Sequence, residues 1–253
     1  MSRQRLDARL LADGLAEDLR TATGLVLAGE VLVDDRCVDK PGTPINARAQ
    51  VRLRQTRGGQ SGRFVSRGGD KIESALSHFS LNVCDLRAVD IGAATGGFTD
   101  ALLQRGAAEV VAVDVGYGLL ADKLRRDPRV HVCERTNARS LDLAQLPYAP
   151  DLVVVDASFI GLAALLPAID AIAPLGAQLL AMVKPQFELP PSLVPEGGVV
   201  RDDADRQRSV DSVVAQARAS GWTLLGQVDS AVHGPSGNIE VFVWLRRDAV
   251  AAP

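Results

Sequence analysis

Five apolar runs recur at regular intervals through the larger, second part of the chain. They are rich in valine, leucine and alanine, and they lie at residues 88–91, 110–113, 130–132, 152–155 and 179–183. Helical patterns separate them, and runs without a polar face are typical of strands that helices cover on both sides. The pattern predicts a doubly wound α/β domain with a Rossmann-like, mostly parallel sheet.

Two later strand patterns, at residues 223–228 and 239–245, are connected differently. Only residues 230–238 separate them, and this stretch contains glycine, proline and asparagine. A parallel connection needs a crossover of a dozen or more residues, usually a helix. We therefore expect an antiparallel unit at the edge of the sheet, with the last strand antiparallel.

The first part of the chain carries shorter elements. Leucines at helical spacing begin at Leu6, and a second helical pattern stops at Gly29. Strand patterns follow at residues 31–33 and 51–54. We expect a small α+β domain over residues 1–55, which is small for independent stability.

A stretch rich in glycine, serine and arginine predicts a linker between the two parts. The resulting division is a small domain at 1–55, a linker at 56–67, a large domain at 68–247 and a tail at 248–253. The large domain should open with a helix at about residues 70–79. Asp70 is placed for its N-cap, Glu73 completes a capping box, and Lys71 lies in the first turn.

Charge divides the chain in the same way. The net charge of −3 combines +4 over residues 1–67 with −7 over residues 68–253. Residues 48–71 hold seven arginine and lysine residues and one acid. A polyanion would bind at this basic segment first. A solvated surface is the alternative interpretation, and the preference for arginine favours phosphate and base contacts.

The distribution of cysteine and histidine excludes some classes of site. Cys37, Cys84 and Cys133 are far apart, and the three histidines form no paired motif. Neither a disulfide framework nor a metal site is expected. No apolar stretch is long enough to span a bilayer, and the first residues lack the apolar core of a signal peptide. We expect a cytoplasmic protein.

A glycine-rich turn follows the first strand of the large domain. Gly92, Gly96 and Gly97 allow the backbone to approach a ligand where open α/β sheets bind one. The spacing matches neither the dinucleotide fingerprint nor the phosphate-binding loop. Asp90 at the end of the first strand is placed for a cationic or amino group, and Asp114 after the second strand for ribose hydroxyls.

Two acids without a phosphate-binding lysine fit a nucleoside ligand that carries no phosphate. S-adenosylmethionine is such a ligand, and an NAD site on the same kind of sheet is the alternative. The candidate cofactor-binding residues are Asp90, Gly92, Ala94, Thr95, Gly96, Gly97, Phe98, Asp114, Val115 and Asp156.

Charged residues at the ends of later strands supply candidate chemistry. Asp156 and Lys184 each follow an apolar strand, which places both at the edge of the sheet beside the glycine-rich turn. A salt bridge between Asp156 and Lys184 with a purely structural role is the alternative to a catalytic one. Glu240 lies where the last strand begins, and Lys71 opens the helix that enters the large domain. Asp156 and Glu240 would orient the two lysines.

Lys71, Asp156, Lys184 and Glu240 resemble, in type and order, the Lys-Asp-Lys-Glu tetrad of the FtsJ class of RNA ribose 2′-O-methyltransferases. The resemblance implies that a ribose hydroxyl is the nucleophile. This group needs a base, and a desolvated Lys184 beside a second cation, Lys71, is suited to that role. Further segments resemble the TlyA family of bacterial ribosomal-RNA methyltransferases, often named hemolysins, over nearly the whole chain. These segments are residues 90–100, 114–118, 134–137, 156–160, 183–188 and 197–202. Ala94 departs from the family's usual serine, and residues 62–65 only loosely resemble its Arg-x-Trp-Val segment.

The N-terminal segments 5–7 and 25–33 resemble the S4 RNA-binding domain, with a departure at residues 18–20 that displaces Arg20 by one position. The basic residues assigned to RNA contact are Arg3, Arg5, Arg20, Arg63 and Arg67. The resemblance implies an S4 domain joined to a methyltransferase domain, with S-adenosylmethionine as cofactor and ribosomal RNA as partner. It also implies methylation of the ribose 2′-hydroxyl of cytidine in 23S and, in some members, 16S rRNA.

Two other functions stay open on the sequence. A non-catalytic RNA-binding assembly factor would keep the same fold, and a membrane-active hemolysin would need an amphipathic segment that the chain does not show. The proline-rich residues 185–202 either close over RNA or merely connect two elements. Tyr117 and Phe159 either stack on bases or pack at the rim.

Overall fold

The structure is a computed structural model that describes residues 3–27, 29, 31–34, 36–53, 62–234 and 237–248. The N-terminal unit contains β1 (Arg3–Arg5), α1 (Leu6–Ala12), α2 (Leu19–Leu27), β2 (Val31–Val33), β3 (Arg36–Cys37), β4 (Pro44–Asn46) and β5 (Val51–Leu53). Strand β1 pairs with β4, and β2 lies between β3 and β5, all antiparallel.

This unit has its own small core. Leu6, Leu10, Val26, Val31 and Ile45 are buried together. The two predicted helices and the strands β2 and β5 are present, and residue 54 lies outside the described residues. Strands β1 and β4 were not predicted, since three residues are too few to show an alternating pattern.

The large unit alternates strands and helices as expected. Its elements are α3 (Arg67–His78), β6 (Arg87–Ile91), α4 (Gly97–Gln104), β7 (Glu109–Val113), α5 (Asp122–Arg125), β8 (Val130–Cys133), β9 (Leu152–Val155), α6 (Leu166–Ile172), β10 (Gln178–Val183), α7 (Pro185–Glu188), α8 (Asp203–Ala219), β11 (Trp222–Asp229) and β12 (Val241–Arg247). Short 3₁₀ turns lie at Ala138–Ser140, Leu143–Gln145, Leu162–Ala164 and Pro191–Leu193.

The seven strands form one mixed sheet in the order β11-β12-β10-β9-β6-β7-β8. Strands β8, β7, β6, β9 and β10 are parallel, and β12 is antiparallel to both of its neighbours, β10 and β11. The predicted mostly parallel sheet with an antiparallel last strand is confirmed. The last strand begins at Val241 rather than at residue 239, so Glu240 lies just before it.

Helix α3 differs from its prediction. It begins at Arg67, Ser66 is its N-cap residue, and Asp70 lies in its first turn. The predicted N-cap at Asp70 is therefore wrong, and Glu73 makes no capping box but binds Arg105 at 2.8 Å. The earlier start brings Gly69 directly against Gly97, where a Cβ on Gly97 would be 2.8 Å from the Gly69 nitrogen, and this contact between distant segments leaves no local signal in the sequence.

The predicted linker also ends before residue 67, and its residues 56–61 lie outside the described residues. Phe64 is buried in the core of the large unit, and the N–H of Val65 donates to Asp100 at 2.8 Å. The segment immediately before α3 is therefore packed against α4.

Apolar layers cover both faces of the sheet. One layer brings α3 and α4 against it, and the other brings α6 and α8. Strands β6 and β9 are neighbours, but β6 connects to β7 on one side of the pair and β9 connects to β10 on the other. The space between the ends of these two strands is therefore the switch point at which open α/β sheets bind ligands. The carboxyl ends of β6, β7, β9 and β10 therefore position the candidate site.

Candidate active site

The glycine-rich turn joins β6 to α4 in a space that admits no side chain. Gly92 has a φ of 86°, and a Cβ there would lie 2.9 Å from the carbonyl oxygen of Asp156. Only glycine combines this conformation with this approach. The turn thereby holds the ends of β6 and β9 together.

Asp90 does not occupy the position expected for it. Its carboxyl group is fully buried beneath the turn, where Oδ2 accepts hydrogen bonds from the Thr99 N–H at 3.0 Å and from the Thr99 hydroxyl at 2.7 Å. Asp90 is absent from the walls of the cavities beside the turn. Oδ2 thereby fixes the start of α4, and Oδ1 is buried without a hydrogen-bond partner among the described residues.

Burial raises the pKa of Asp90 to about 7 from an ordinary 3.8, with further repulsion from Asp156 and Asp114 and opposition from the Thr99 hydrogen bonds. The folded protein keeps this proton up to a higher pH than the unfolded chain does. Protonation of Asp90 therefore contributes fully to the stability of the fold below pH 3.8, and this contribution is lost once the pH passes about 7.

We expect Asp90→Asn to flatten the pH dependence of the free energy of unfolding between these two pH values. Urea unfolding of the ligand-free protein at several pH values measures it, and an unchanged slope contradicts the prediction.

Asp114 connects the glycine-rich turn to the loop after β7. It accepts hydrogen bonds from the N–H groups of Ala94 at 2.9 Å and of Gly116 at 2.6 Å. A carboxylate offers about four acceptor positions, so this geometry still leaves room for hydroxyl donors. Glu134 also stabilises the loop after β7, because its carboxylate accepts a hydrogen bond of 2.6 Å from the Gly118 N–H.

A cavity of about 340 Å³ opens beside these loops, a size typical of small-molecule sites. Of the predicted cofactor residues, Gly92, Ala94, Asp114, Val115 and Asp156 line it. Thr95, Gly97 and Phe98 line a smaller adjoining cavity of about 110 Å³, and Gly96 is absent from both linings. The sequence-based set is thus divided between two neighbouring spaces.

Several residues of the large cavity were missed by sequence reasoning. They are Thr136, Asn137, Ser158, Gln186 and Asn238. The first four follow the carboxyl ends of β8, β9 and β10, so the rule that singled out Asp156 and Lys184 would also have found them. Asn238 gives no such signal, because it precedes a strand.

The four tetrad residues meet between the two cavities. Lys71 Nζ lies 2.6 Å from Glu240 Oε2, and Lys184 Nζ lies 2.7 Å from Asp156 Oδ1. Lys184 also donates to the Ser158 hydroxyl at 2.9 Å. Lys184 and Asp156 line both cavities, Glu240 lines the larger and Lys71 the smaller.

Burial and the attraction of neighbouring charges shift the pKa values of Lys71 and Asp156 in opposite directions. Burial disfavours the charged form of Lys71, but attraction by Asp156 and Glu240 outweighs it and raises the pKa of Lys71. Burial likewise opposes ionisation of Asp156, yet Lys184 and Lys71 hold its pKa below the ordinary value. The cluster is therefore a set of mutually dependent charges in a dry environment.

The predicted RNA-contacting arginines are placed differently from one another. Arg3 and Arg5 are exposed on β1, and Arg5 pairs with Asp7. Arg20 donates to the Gly118 carbonyl oxygen of the large unit, and Arg63 pairs with Glu73. Arg67 lines the smaller cavity. RNA contact stays a prediction for all five, and the structure gives Arg5, Arg20 and Arg63 partners within the protein.

The N-terminal unit also reaches the large cavity. Leu27 and Asp39 contribute to its walls, and the Lys40 ammonium lies 5.7 Å from the centre of the Phe159 ring. Phe159 in turn lies beside Phe187, with ring centroids 5.7 Å apart. The rim of the cavity therefore includes residues of both units.

Comparison with known proteins identifies the family. The profile of the FtsJ-like methyltransferases matches residues 64–247. The 16S/23S rRNA (cytidine-2′-O)-methyltransferase TlyA of Mycobacterium tuberculosis strain H37Rv is 46% identical over 244 residues, which cover 96% of this chain and 90% of that protein. The chain is an FtsJ-like methyltransferase of the TlyA family.

Other members of the TlyA family carry hemolysin names. Hemolysin A of Brachyspira hyodysenteriae is 33% identical, with 93% of this chain and 97% of that protein covered. A solved structure from Streptococcus thermophilus that carries a hemolysin name is 38% identical, with a TM-score of 0.73 and coverage of 98% of this chain and 90% of that one. In this TlyA-family chain, none of the described helices has the length and apolarity needed to cross a membrane.

Proposed function

We propose that the chain transfers the methyl group of S-adenosylmethionine to the ribose 2′-hydroxyl of a cytidine in ribosomal RNA. The substrate is 23S rRNA, with 16S rRNA as a second one. The single observation that supports this most is the position of Lys184, which lies between two cavities and is held by Asp156 and Ser158. The name of the mycobacterial relative supports the choice of cytidine.

The large cavity fits the proposed cofactor by its charge. Among the described residues that line it, Lys184 is the one cation, whereas Asp39, Asp114, Asp156 and Glu240 are acids. Such a surface disfavours phosphate groups and suits a ligand with ammonium and sulfonium charges and an adenosine. When bound, the cofactor supplies an electrophilic methyl group. Asp114 would hold ribose hydroxyls, and Val115 would cover the adenine.

The smaller cavity suits the RNA side of the reaction. Arg67, Lys71 and Lys184 line it, and cations are the natural partners of the phosphates that flank a ribose. A nucleotide whose sugar enters from this side brings its 2′-hydroxyl to Lys184. There Nζ of Lys184 would accept the hydroxyl proton, while the bond from the ribose oxygen to the methyl carbon forms and the carbon–sulfur bond breaks.

The remaining tetrad residues position Lys184 and balance its charge. Asp156 anchors Nζ at 2.7 Å, and the pair of Lys71 and Glu240 closes the cluster from the other side. Most of the rate would come from aligning oxygen, methyl carbon and sulfur.

We propose an S4-like RNA-binding role for residues 1–55 and the methyltransferase reaction for residues 68–247. The exposed Arg3 and Arg5 support the first assignment. Such a substrate would place the protein in the cytoplasm. Most of the tail at 248–253 lies outside the described residues.

Methyl transfer to purified ribosomal subunits tests this function. We expect radiolabelled methyl groups from S-adenosylmethionine to enter 23S rRNA, and mapping of ribose methylation should locate them at a cytidine 2′-oxygen. Absence of incorporation into both rRNAs, despite RNA binding, would identify a non-catalytic factor. Leakage of liposomes by the purified protein would revive the hemolysin alternative.

A further inference from the structure

A loop rich in proline forms one side of the site entrance. This proline loop, residues 190–201, connects α7 to α8. Its internal hydrogen bonds are short-range: Leu193 N–H donates to the Pro190 carbonyl at 2.9 Å, and Gly198 N–H to the Pro195 carbonyl at 2.9 Å. Such turns stiffen the loop locally but do not fix it to the rest of the protein.

One buried side chain supplies that attachment. Asn238 is 1% exposed; its Oδ1 accepts the Val200 N–H at 2.9 Å, and its Nδ2 donates to the Gly198 carbonyl at 2.9 Å. Across the described ranges, these are the hydrogen bonds that join the proline loop to a segment distant in sequence. Within the described residues, the amide oxygen and the amide nitrogen of Asn238 therefore make both of the hydrogen bonds that attach the proline loop to the segment before β12.

The attached loop forms the outer wall of an open groove. The groove is lined by Phe159, Gln186, Phe187 and Leu189 on one side and by Pro191, Val194, Pro195 and Gly198 on the other. Phe159, Gln186 and Phe187 also line the large cavity, so the groove opens directly from the cavity that contains Lys184. No charged side chain is present among these described lining residues.

A mostly apolar, uncharged groove that opens from the cavity of Lys184 matches a nucleobase better than a phosphate. Bases of single-stranded RNA offer flat apolar faces, and aromatic side chains are their usual partners. We propose that Asn238 is a positioning residue that fastens the proline loop as one wall of a groove for a base of the RNA next to the methylated ribose. This rests on the proposed function and extends it to substrate binding.

Asn238→Ala tests the attachment. Loss of two neutral hydrogen bonds should release the loop, and we expect KM for ribosomal subunits to rise about tenfold, by more than kcat falls. Gln178→Ala is the matched control, because the Gln178 amide accepts a hydrogen bond from Trp244 at 2.9 Å at the far end of the strand pair. That variant should keep the wild-type KM.

Val194→Asp tests the groove without touching a buried residue. A carboxylate on the wall should repel RNA and raise KM, whereas Ser192→Asp adds the same charge to an exposed position that does not line the groove. Equal KM values for these two variants would overturn the proposal, as would a fall in kcat at unchanged KM in Asn238→Ala. An inactive wild-type protein would instead reject the proposed function.

Discussion

Lys184→Ala is expected to lower kcat for methyl transfer by a factor of about 10² to 10⁴, the usual contribution of a positioned general base. The side chain lies at the junction of the two cavities, so its removal leaves the ribose hydroxyl without a proton acceptor. Binding of S-adenosylmethionine should persist, because Asp114 and the glycine-rich turn keep their mutual hydrogen bond of 2.9 Å. Rates with saturating ribosomal subunits and calorimetry of cofactor binding measure the two effects.

Two controls separate chemistry from folding. Lys184→Arg keeps the positive charge beside Asp156 but cannot accept a proton, so it should be as inactive as the alanine variant. Lys123→Ala removes an exposed lysine that pairs with the buried Asp100 at 2.9 Å, away from both cavities. The Val65 N–H and the Gln104 amide still donate to that carboxylate, so the variant should retain the wild-type rate. A Lys184→Ala protein that folds, binds cofactor and methylates normally would refute the role.

Lys71→Met is expected to cost about 3–5 kcal/mol of stability, the usual penalty for leaving a buried charge without its partner. Lys71 and Glu240 are both nearly inaccessible, and the pair is only 2.6 Å apart. Adding Glu240→Gln should restore much of the stability, since no isolated carboxylate then remains. Methyl transfer should stay low in both proteins, because the second cation beside Lys184 is lost.

Chemical denaturation of the wild type, the two single variants and the double variant gives the coupling energy. Arg246→Met serves as the exposed comparison: Arg246 and Asp248 also pair, at 2.8 Å, yet solvent screens them. That substitution should hardly move the unfolding midpoint. The prediction fails if the double variant is no more stable than Lys71→Met.

The sheet and the meeting of the tetrad were predictable for a physical reason. Strands covered on both faces need nearly continuous apolar runs, which mark β6, β7, β9 and β10 directly in the sequence, and the edge strand β8 keeps a weaker form of the same pattern. A parallel sheet then brings the carboxyl ends of its strands to one edge, so Asp156 and Lys184 had to be neighbours. Lys71 and Glu240 joined them through the family resemblance, since neither follows a parallel strand.

What escaped prediction depends on contacts between segments distant in the chain. Asp70 has the local signal of an N-cap, but the helix begins at Arg67, where Gly69 packs closely on Gly97 of a distant segment. Asp90 has the sequence position of a ligand-binding acid, and only the structure shows that Thr99 occupies one of its two oxygens. Asn238 is an ordinary turn residue by sequence, and its role depends on where the proline loop crosses it.

The place of β12 in the sheet has a consequence for incomplete chains. This strand fills the gap between β10 and β11, and the residue before it pairs with Lys71 across 169 positions of sequence. A translation product that stops before β12 would display two unpaired strand edges and a lysine without its carboxylate. Such fragments should self-associate rather than act as weak enzymes, so nonsense mutations even late in the gene should behave as complete losses.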